Sequence, residues 1–227
     1  MINNKKVCVF VDGENLRHSI NELFPDFDRR NYLPKADWAK FFDWIASEVA
    51  GVDADRIRTY WYVVENIDFI PYNLNSARKN KYNLIKLLCK DKEIAKSIDE
   101  CTGLKKDQLI EKISNDLQDL QRAMEGRFHG WINIQSEIEA RCAAIEFRRA
   151  GSIKFNLFNR SFGSEKAVDV KLATDLIRLK DIYDIAVIVS GDQDYVPGVD
   201  AIKDFGKRTV NVSFLTDKGY ILPGGAK

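Results

Sequence analysis

Two short, uninterrupted apolar runs constrain the fold of this chain more than any other feature of its sequence. The first reads VCVFV at residues 7–11, and the second reads IAVIVS at residues 185–190. Strands without alternating polar residues are typical of a sheet that is covered on both faces. Helical patterns accompany both runs, and this strand and helix alternation predicts a parallel sheet with helices on either side.

Further elements are predicted from spacing and residue type. Strands are expected at residues 6–11, 56–64, 152–158, 185–190 and 208–214, and helices at residues 35–50, 165–180 and 194–206. From about residue 73 to 149 the β-branched runs disappear, and Leu, Ile, Lys, Glu and Gln recur at helical spacing. We therefore expect one α/β domain over residues 1–227, with a helical insertion at about 73–149 that enters the sheet or caps one edge.

The overall composition excludes few functions. The chain has 35 basic and 34 acidic residues, so its net charge of +1 does not decide whether it binds nucleic acid. Four cysteines without CxxC spacing and two histidines argue against a structural zinc site and suit a reducing compartment. No segment resembles a signal peptide or a membrane span, so we expect a soluble, cytoplasmic protein without a membrane partner.

Acidic residues follow two of the predicted strands directly. Asp12 ends the first strand, and Asp192 and Asp194 follow the strand at residues 185–190 in the segment SGDQDY. Ligands of open α/β sheets bind outside the carboxyl ends of the parallel strands. We therefore expect these three carboxylates to lie at the same edge of the sheet.

A fourth acid lies on the predicted helix at residues 165–180. Asp169 falls within the apolar arc that Val168 and Leu172 help to form. A carboxylate in a core-facing stripe is costly unless it is paired, bound to a metal, or placed near the helix start, where the dipole favours it. Asp175 lies on the flank of the same helix, and both a structural role and a role in the site stay open for it.

The pattern predicts a divalent metal site formed by Asp12, Asp169, Asp192 and Asp194. Two carboxylates about 4 Å apart repel by roughly 4 kcal/mol at an effective dielectric constant near 20, so such a cluster favours a cation or shared protons. Oxygen ligands without nearby histidine or cysteine indicate Mg²⁺ or Mn²⁺, and such a site suits phosphodiester hydrolysis. Asn15, one helical turn after Asp12, could hold a phosphate oxygen or a water.

Each of these acids also has a simpler explanation. Asp12 and Gly13 could form an ordinary turn or helix cap, and Asp194 could cap the helix that follows it. Asp169 could pair with Lys166. The convergence of three independent elements on one edge of the sheet favours a functional site over these separate explanations.

Three segments together resemble a known family. They are VFVDGENL at residues 9–16, KAVDVKLATDL at 166–176 and VIVSGDQDYVPGVDAIKDFGKRTVNV at 187–212. In this order they are similar to the motifs of NYN domains, which belong to the PIN-like nuclease superfamily and include bacterial LabA-like proteins. The resemblance implies a three-layer α/β/α PIN-like sandwich and a metal-dependent ribonuclease. By position, Asp12, Asp169, Asp192 and Asp194 match the acidic metal site, and Asn15 matches the polar residue beside it.

The resemblance also implies RNA as the partner, and basic residues are candidates to bind its backbone. The candidates expected nearest to the site are Arg160, Lys166, Lys207 and Arg208. The insertion carries further basic groups, namely Arg78 and Lys79 with Lys81, Lys105 with Lys106, and Arg148 with Arg149. They could form a solvated helix surface, an RNA clamp or a surface for homo-oligomers.

The sequence therefore predicts a Mg²⁺- or Mn²⁺-dependent endoribonuclease that acts on single-stranded RNA. The resemblance implies products with a 3′-hydroxyl and a 5′-phosphate. A catalytically weak or inactive RNA-binding or regulatory module on the same fold is the alternative. A phosphatase is a third possibility, but the segment DGEN does not match the nucleophile pattern DxDx[TV] of one such class.

Overall fold

A computed structural model of the chain describes residues 4–24, 33 and 35–222. Its strands are β1 (Lys5–Asp12), β2 (Ala54–Ile70), β3 (Ile145–Asn156), β4 (Ser161–Lys166), β5 (Ile185–Val189), β6 (Arg208–Val212), β7 (Phe214–Leu215) and β8 (Ile221–Leu222). Its helices are α1 (Gly13–Leu23), α2 (Trp38–Ala50), α3 (Leu74–Ala77), α4 (Lys81–Leu88), α5 (Lys92–Asp99), α6 (Gly103–Arg141), α7 (Val168–Arg178) and α8 (Val196–Asp204).

Six of the strands form one sheet in the order β4-β3-β2-β1-β5-β6, and β7 pairs with β8 separately. β1 lies parallel to both β2 and β5, and β5 lies parallel to β6. Val11 of β1 is opposite Val189 of β5, so the two strands end side by side. The predicted α/β class with a central, mostly parallel sheet is confirmed.

The two faces of β1 explain why its sequence is apolar throughout. Val7, Val9 and Val11 enter one apolar cluster, to which α1 and α2 contribute. Cys8 and Phe10 enter a second cluster, to which α7 and α8 contribute. All five side chains are fully buried. Helices therefore cover both faces of the sheet at β1, as expected for a three-layer sandwich.

Two glycines allow close contacts around the end of the sheet. Gly13 is the first residue of α1, and a Cβ atom at this position would lie 2.5 Å from the carbonyl oxygen of Tyr62. Gly198 of α8 faces Ala173 of α7, and a Cβ atom there would lie 3.1 Å from the Ala173 Cβ and 3.2 Å from its Cα. The helices α7 and α8 therefore pack almost backbone to backbone.

The chain divides into two compact units. The first unit contains residues 1–65, 131–151 and 166–227, and the second contains residues 66–130 and 152–165. The second unit has an apolar cluster of its own, which includes Leu88, Ile98 and Leu157. It overlaps the predicted insertion at 73–149, and the assignment of residues 1–227 to a single domain stays a prediction.

The predicted elements differ from the observed ones mainly around β3. The helical segment was expected to reach residue 149, but α6 ends at Arg141 and β3 begins at Ile145, earlier than the strand expected at 152–158. β4 was not predicted, because its sequence SFGSEK is mostly exposed and lacks apolar alternation. β2 extends beyond the expected residue 64 to Ile70, where polar residues such as Glu65 and Asp68 weaken the pattern.

The structure also describes the cysteines and the apolar character of the helices. All four cysteines are free thiols. Within the described ranges, no helix combines the length and the apolar character that crossing a membrane requires.

Candidate metal site

Three carboxylates converge at the edge of the sheet where β1 and β5 end. Asp169 lies in the first turn of α7, and Asp192 and Asp194 lie in the loop between β5 and α8. One carboxylate oxygen from each residue lies within 4.8 Å of the others. We call this group the acidic cluster. The side chain of Asp169 is half-buried, whereas Asp192 and Asp194 reach solvent.

Asp12 lies beside the acidic cluster and also caps a helix. Its Oδ1 accepts a hydrogen bond of 3.1 Å from the Asn15 backbone N–H at the start of α1. Its Oδ2 accepts from the Asn15 side-chain amide and, at 2.8 Å, from the Ser190 hydroxyl. The residue is 1% exposed. The helix cap that the Asp-Gly pair suggested is therefore present, and it holds the Asp12 carboxyl in a fixed orientation at the end of β1.

Local hydrogen bonds shape the loop that carries Asp192 and Asp194. The Asp192 backbone N–H donates to Ser190 Oγ at 3.1 Å, and Asp192 Oδ1 accepts from the backbone N–H groups of Gln193 and Asp194 at 2.6 and 3.2 Å. Asp194 does not cap α8, because the helix begins after Tyr195 without a side-chain cap. The capping alternative for Asp194 is therefore wrong.

The acids repel one another. Burial, followed by the charges of Asp12, Asp192 and Asp194, raises the pKa of Asp169 to about 6. Burial also raises the pKa of Asp12, although hydrogen bonds from Asn15 and Ser190 oppose the shift. No lysine or arginine pairs with Asp169, Asp192 or Asp194 in the part of the chain that the structure describes, so the alternative pair of Asp169 with Lys166 is not formed.

The acidic cluster fits a hard divalent cation. Its donors are carboxylate oxygens, which Mg²⁺ and Mn²⁺ prefer over nitrogen or sulfur. Its uncompensated negative charge favours a cation on electrostatic grounds. Asp169, Asp192 and Asp194 could bind the ion directly, with Asp12 beside them.

Asp175 lies on α7 with Asp169 but has a different environment. Its side chain is fully buried and pairs with the Arg148 guanidinium. Further donors to the Asp175 carboxylate are the Tyr62 hydroxyl at 3.3 Å, Lys171 Nζ at 3.3 Å and Arg178 Nε at 3.0 Å. Burial alone would raise the pKa of Asp175, but the hydrogen bond and the charge of Arg148 outweigh it and lower the pKa. The role that stayed open for Asp175 is therefore structural.

Lys207 and Arg208 lie at the amino ends of the parallel strands, whereas the acidic cluster lies at their carboxyl ends. Arg208 is paired with Ile185 at the start of β5, whereas Val212 is paired with Val189 at the end. Four residues of strand separate these edges by about 13 Å. Lys207 Nζ donates to the Tyr183 carbonyl at 2.8 Å. The expectation that these two residues lie near the site is wrong, because β6 begins only after α8 has returned the chain to the far edge.

The other two predicted RNA-binding residues have exposed side chains. Lys166 ends β4 and precedes Asp169 by three residues in the chain. Arg160 lies in the turn between β3 and β4, in the second unit. Of the four predicted residues, Lys166 is thus the one that lies close to a member of the acidic cluster in sequence.

Most basic groups singled out in the insertion have partners. Arg78 donates to the side chains of Gln118 and Asn115, and Lys81 pairs with Asp107 at 2.6 Å. Lys106 pairs with Asp99 at 3.9 Å. Arg148 and Arg149 lie on β3, not on a helix, and Arg148 forms an ion pair with Asp175. These contacts favour a structural role over the RNA clamp for these residues.

Two neighbours of the acids were not predicted to take part in the site. The hydroxyl of Ser190 donates to Asp12 and accepts from the Asp192 backbone N–H, so it links Asp12 to the loop of Asp192. Tyr195 is buried, and burial together with the charges of Asp12, Asp192 and Asp169 raises the pKa of its hydroxyl, although a hydrogen bond with Ser190 opposes the shift. Their position in the segment SGDQDY is the signal that could have identified them.

The family of the chain is now shown by comparison with known proteins. The family model of the NYN domain matches residues 105–220, which is half of the chain. The chain therefore belongs to the NYN domain family, within the PIN-like nuclease superfamily. The matched segment contains Asp169, Asp192 and Asp194 and begins after Asp12 and Asn15.

Other comparisons add little to this assignment. None of the curated proteins matches the chain significantly. Among solved structures, the chain is similar to the crystal structure of a protein of unknown function from Vibrio parahaemolyticus, with a TM-score of 0.42 and 15% sequence identity. The alignment covers 93% of this chain and 82% of that one.

The raised pKa of Asp169 predicts how the stability of the metal-free protein changes with pH. The folded state binds a proton on Asp169 below a pKa of about 6, whereas the unfolded state does so only below the ordinary aspartate pKa of 3.8. The free energy of unfolding should therefore rise as pH falls from 7 towards 5. Melting curves in EDTA should show this increase, and it should be smaller in Asp169→Asn. Equal pH dependence in both proteins would contradict the repulsion within the cluster.

Proposed function

We propose that this protein is a Mg²⁺- or Mn²⁺-dependent ribonuclease that hydrolyses phosphodiester bonds in single-stranded RNA. One observation carries the proposal: three mutually repelling carboxylates converge at the strand-end edge of the sheet, in a chain of the NYN family. Membership in a nuclease superfamily supports RNA hydrolysis as the reaction. The donor chemistry supports the choice of ion.

Each residue of the site has a proposed role. Asp169, Asp192 and Asp194 hold the cation, and Asp12 adds a fourth carboxylate whose orientation Asn15 fixes. When bound there, the ion would supply positive charge for the phosphate and would lower the pKa of an attacking water. Because Asp192 and Asp194 reach solvent, an RNA backbone can approach the cluster from outside. Asp194 would either bind the ion or orient the attacking water.

The test is the cleavage of a labelled single-stranded RNA under three conditions: Mg²⁺, Mn²⁺ and EDTA. We expect cleavage with either ion, no cleavage in EDTA, and products with a 5′-phosphate and a 3′-hydroxyl. A duplex of the same sequence tests strand preference, and a small phosphomonoester tests for phosphatase activity.

The possible outcomes separate the alternatives. Cleavage that persists in EDTA would contradict a metal-dependent mechanism. Hydrolysis of the phosphomonoester without RNA cleavage would favour a phosphatase. RNA that is bound but never cleaved, with either ion, would favour a regulatory RNA-binding module on this fold.

A further inference from the structure

The second unit contains a strongly basic segment that the acidic cluster does not explain. Residues 72–90 include five lysines and arginines and no acidic residue, although the whole chain has a net charge of only +1. Two of the five are engaged within the unit, because Arg78 donates to Gln118 and Lys81 pairs with Asp107. The others, Lys79, Lys86 and Lys90, have exposed side chains. Positive charge is therefore concentrated on this part of the surface.

Part of this segment forms an open groove, which we call the lysine groove. Its volume is about 440 Å³, and its polar lining consists of Tyr72, Asn73, Ser76, Asn83, Lys86 and Lys90. No acidic side chain is found among the described residues that line it. The groove thus combines two cations with neutral side chains that can donate hydrogen bonds, which is the chemistry that recognises a phosphate backbone.

Exposed aromatic rings accompany the lysines. Tyr72 lines the groove and is 52% exposed, and Tyr82 is 74% exposed on α4. Tyr82 and Lys86 are four residues apart and therefore lie on the same face of the helix. Solvent-exposed rings beside lysines are typical of surfaces that bind single-stranded nucleic acid, where bases stack on the rings and cations contact the phosphates. A duplex has no unstacked bases to offer to these rings.

From these features we infer that the lysine groove binds single-stranded RNA, with Lys86 and Lys90 on the phosphates and Tyr72 stacked on a base. The choice of RNA rests on the proposed function of the acidic cluster. The groove adds a binding surface within the second unit, and residues 72–90 precede the segment that the NYN family model matches.

Binding is measured without cleavage, by fluorescence anisotropy of a labelled single-stranded RNA in EDTA. The double variant Lys86→Ala/Lys90→Ala should bind about tenfold more weakly near 0.15 M salt, and the slope of log K against log salt should become shallower by about 1.4, or about 0.7 for each lost contact. The matched control, Lys105→Ala/Lys112→Ala, removes two exposed lysines of α6 from the same unit and should bind like the wild type.

The stacking part of the inference has its own test. Tyr72→Ala should weaken binding about fivefold or more, whereas Tyr72→Phe keeps the ring and should bind like the wild type. In Mg²⁺, Lys86→Ala/Lys90→Ala and Tyr72→Ala should raise KM for RNA and leave kcat unchanged. A KM and a salt slope equal to those of the wild type in Lys86→Ala/Lys90→Ala would overturn the inference.

The two proposals can fail separately. If the wild type cleaves RNA and the groove variants bind and cleave as it does, the inference about the groove is wrong and the ribonuclease stands. If the wild type never cleaves RNA but binding depends on Lys86, Lys90 and Tyr72, the groove stands and the ribonuclease fails.

Discussion

Replacing Asp192 with asparagine should lower the rate of RNA cleavage by about 100-fold or more and leave the protein folded. The substitution removes one negative charge from the acidic cluster, and a metal ion supplies several kcal/mol of stabilisation to such a transition state. The asparagine side-chain oxygen can still accept the hydrogen bonds from the backbone of Gln193 and Asp194. Because a repulsive charge is lost, the melting temperature without metal should be unchanged or higher.

The matched control for this variant is Asp204→Asn. Asp204 is an exposed acid at the end of α8, so the same chemical change is made outside the cluster. Steady-state cleavage and melting temperature are measured for both variants and for the wild type. A large drop in the melting temperature of Asp192→Asn would make the residue structural. Equal cleavage by all three proteins would indicate a contaminating nuclease or a site elsewhere.

Replacing Arg148 with alanine should lower the free energy of unfolding by about 3 kcal/mol, because a buried carboxylate loses its main partner. The side chain of Asp175 is 0% exposed, and Arg148 also lies over the Tyr60 ring at 4.1 Å. Lys171 and Arg178 remain near Asp175 and compensate in part. For a chain of this length the loss corresponds to a decrease in melting temperature of about 6–12 °C.

Two further variants separate charge burial from other effects of the Arg148 substitution. Arg58→Ala removes an arginine that is 42% exposed and pairs with Glu146 at 3.5 Å, so it should cost less than about 1 kcal/mol. The double variant Arg148→Met/Asp175→Leu removes both buried charges and should recover most of the stability. Denaturant unfolding measures all three. A double variant as unstable as Arg148→Ala would show that the loss comes from packing.

The acidic cluster could be predicted because it depends on local sequence. An acid that directly follows a buried parallel strand lies at the carboxyl edge wherever the strand is placed. Asp192 and Asp194 follow from this rule, and Asp169 follows from its position in the apolar arc of α7. The sequence could not decide whether Asp12 caps the helix or binds a metal, because one carboxyl group can serve both roles.

The errors concern contacts between distant parts of the chain. The sequence predicts Arg148 within the helical insertion because the segment IEFRRAGSIKFN of β3 alternates weakly, and its partner Asp175 lies 27 residues away. Lys207 and Arg208 are close to Asp194 in sequence, but β6 starts at the far edge of the sheet. The sequence alone could not separate the groove lysines Lys86 and Lys90 from Lys81 and Arg78, because the partners of the latter two, Asp107 and Gln118, belong to another helix.

The acidic cluster is held by two different kinds of structure, a closely packed helix and a loop. Asp169 is carried by α7, which packs closely against α8 where Gly198 faces Ala173. Asp192 and Asp194 are carried by a solvent-exposed loop. We therefore expect the loop, rather than α7, to adjust to ions of different radius. Discrimination between Mg²⁺ and the larger Ca²⁺ by the proposed site would then depend on the stiffness of the loop, and loosening the hydrogen bonds of Ser190 and Asp192 would be the direct way to change it.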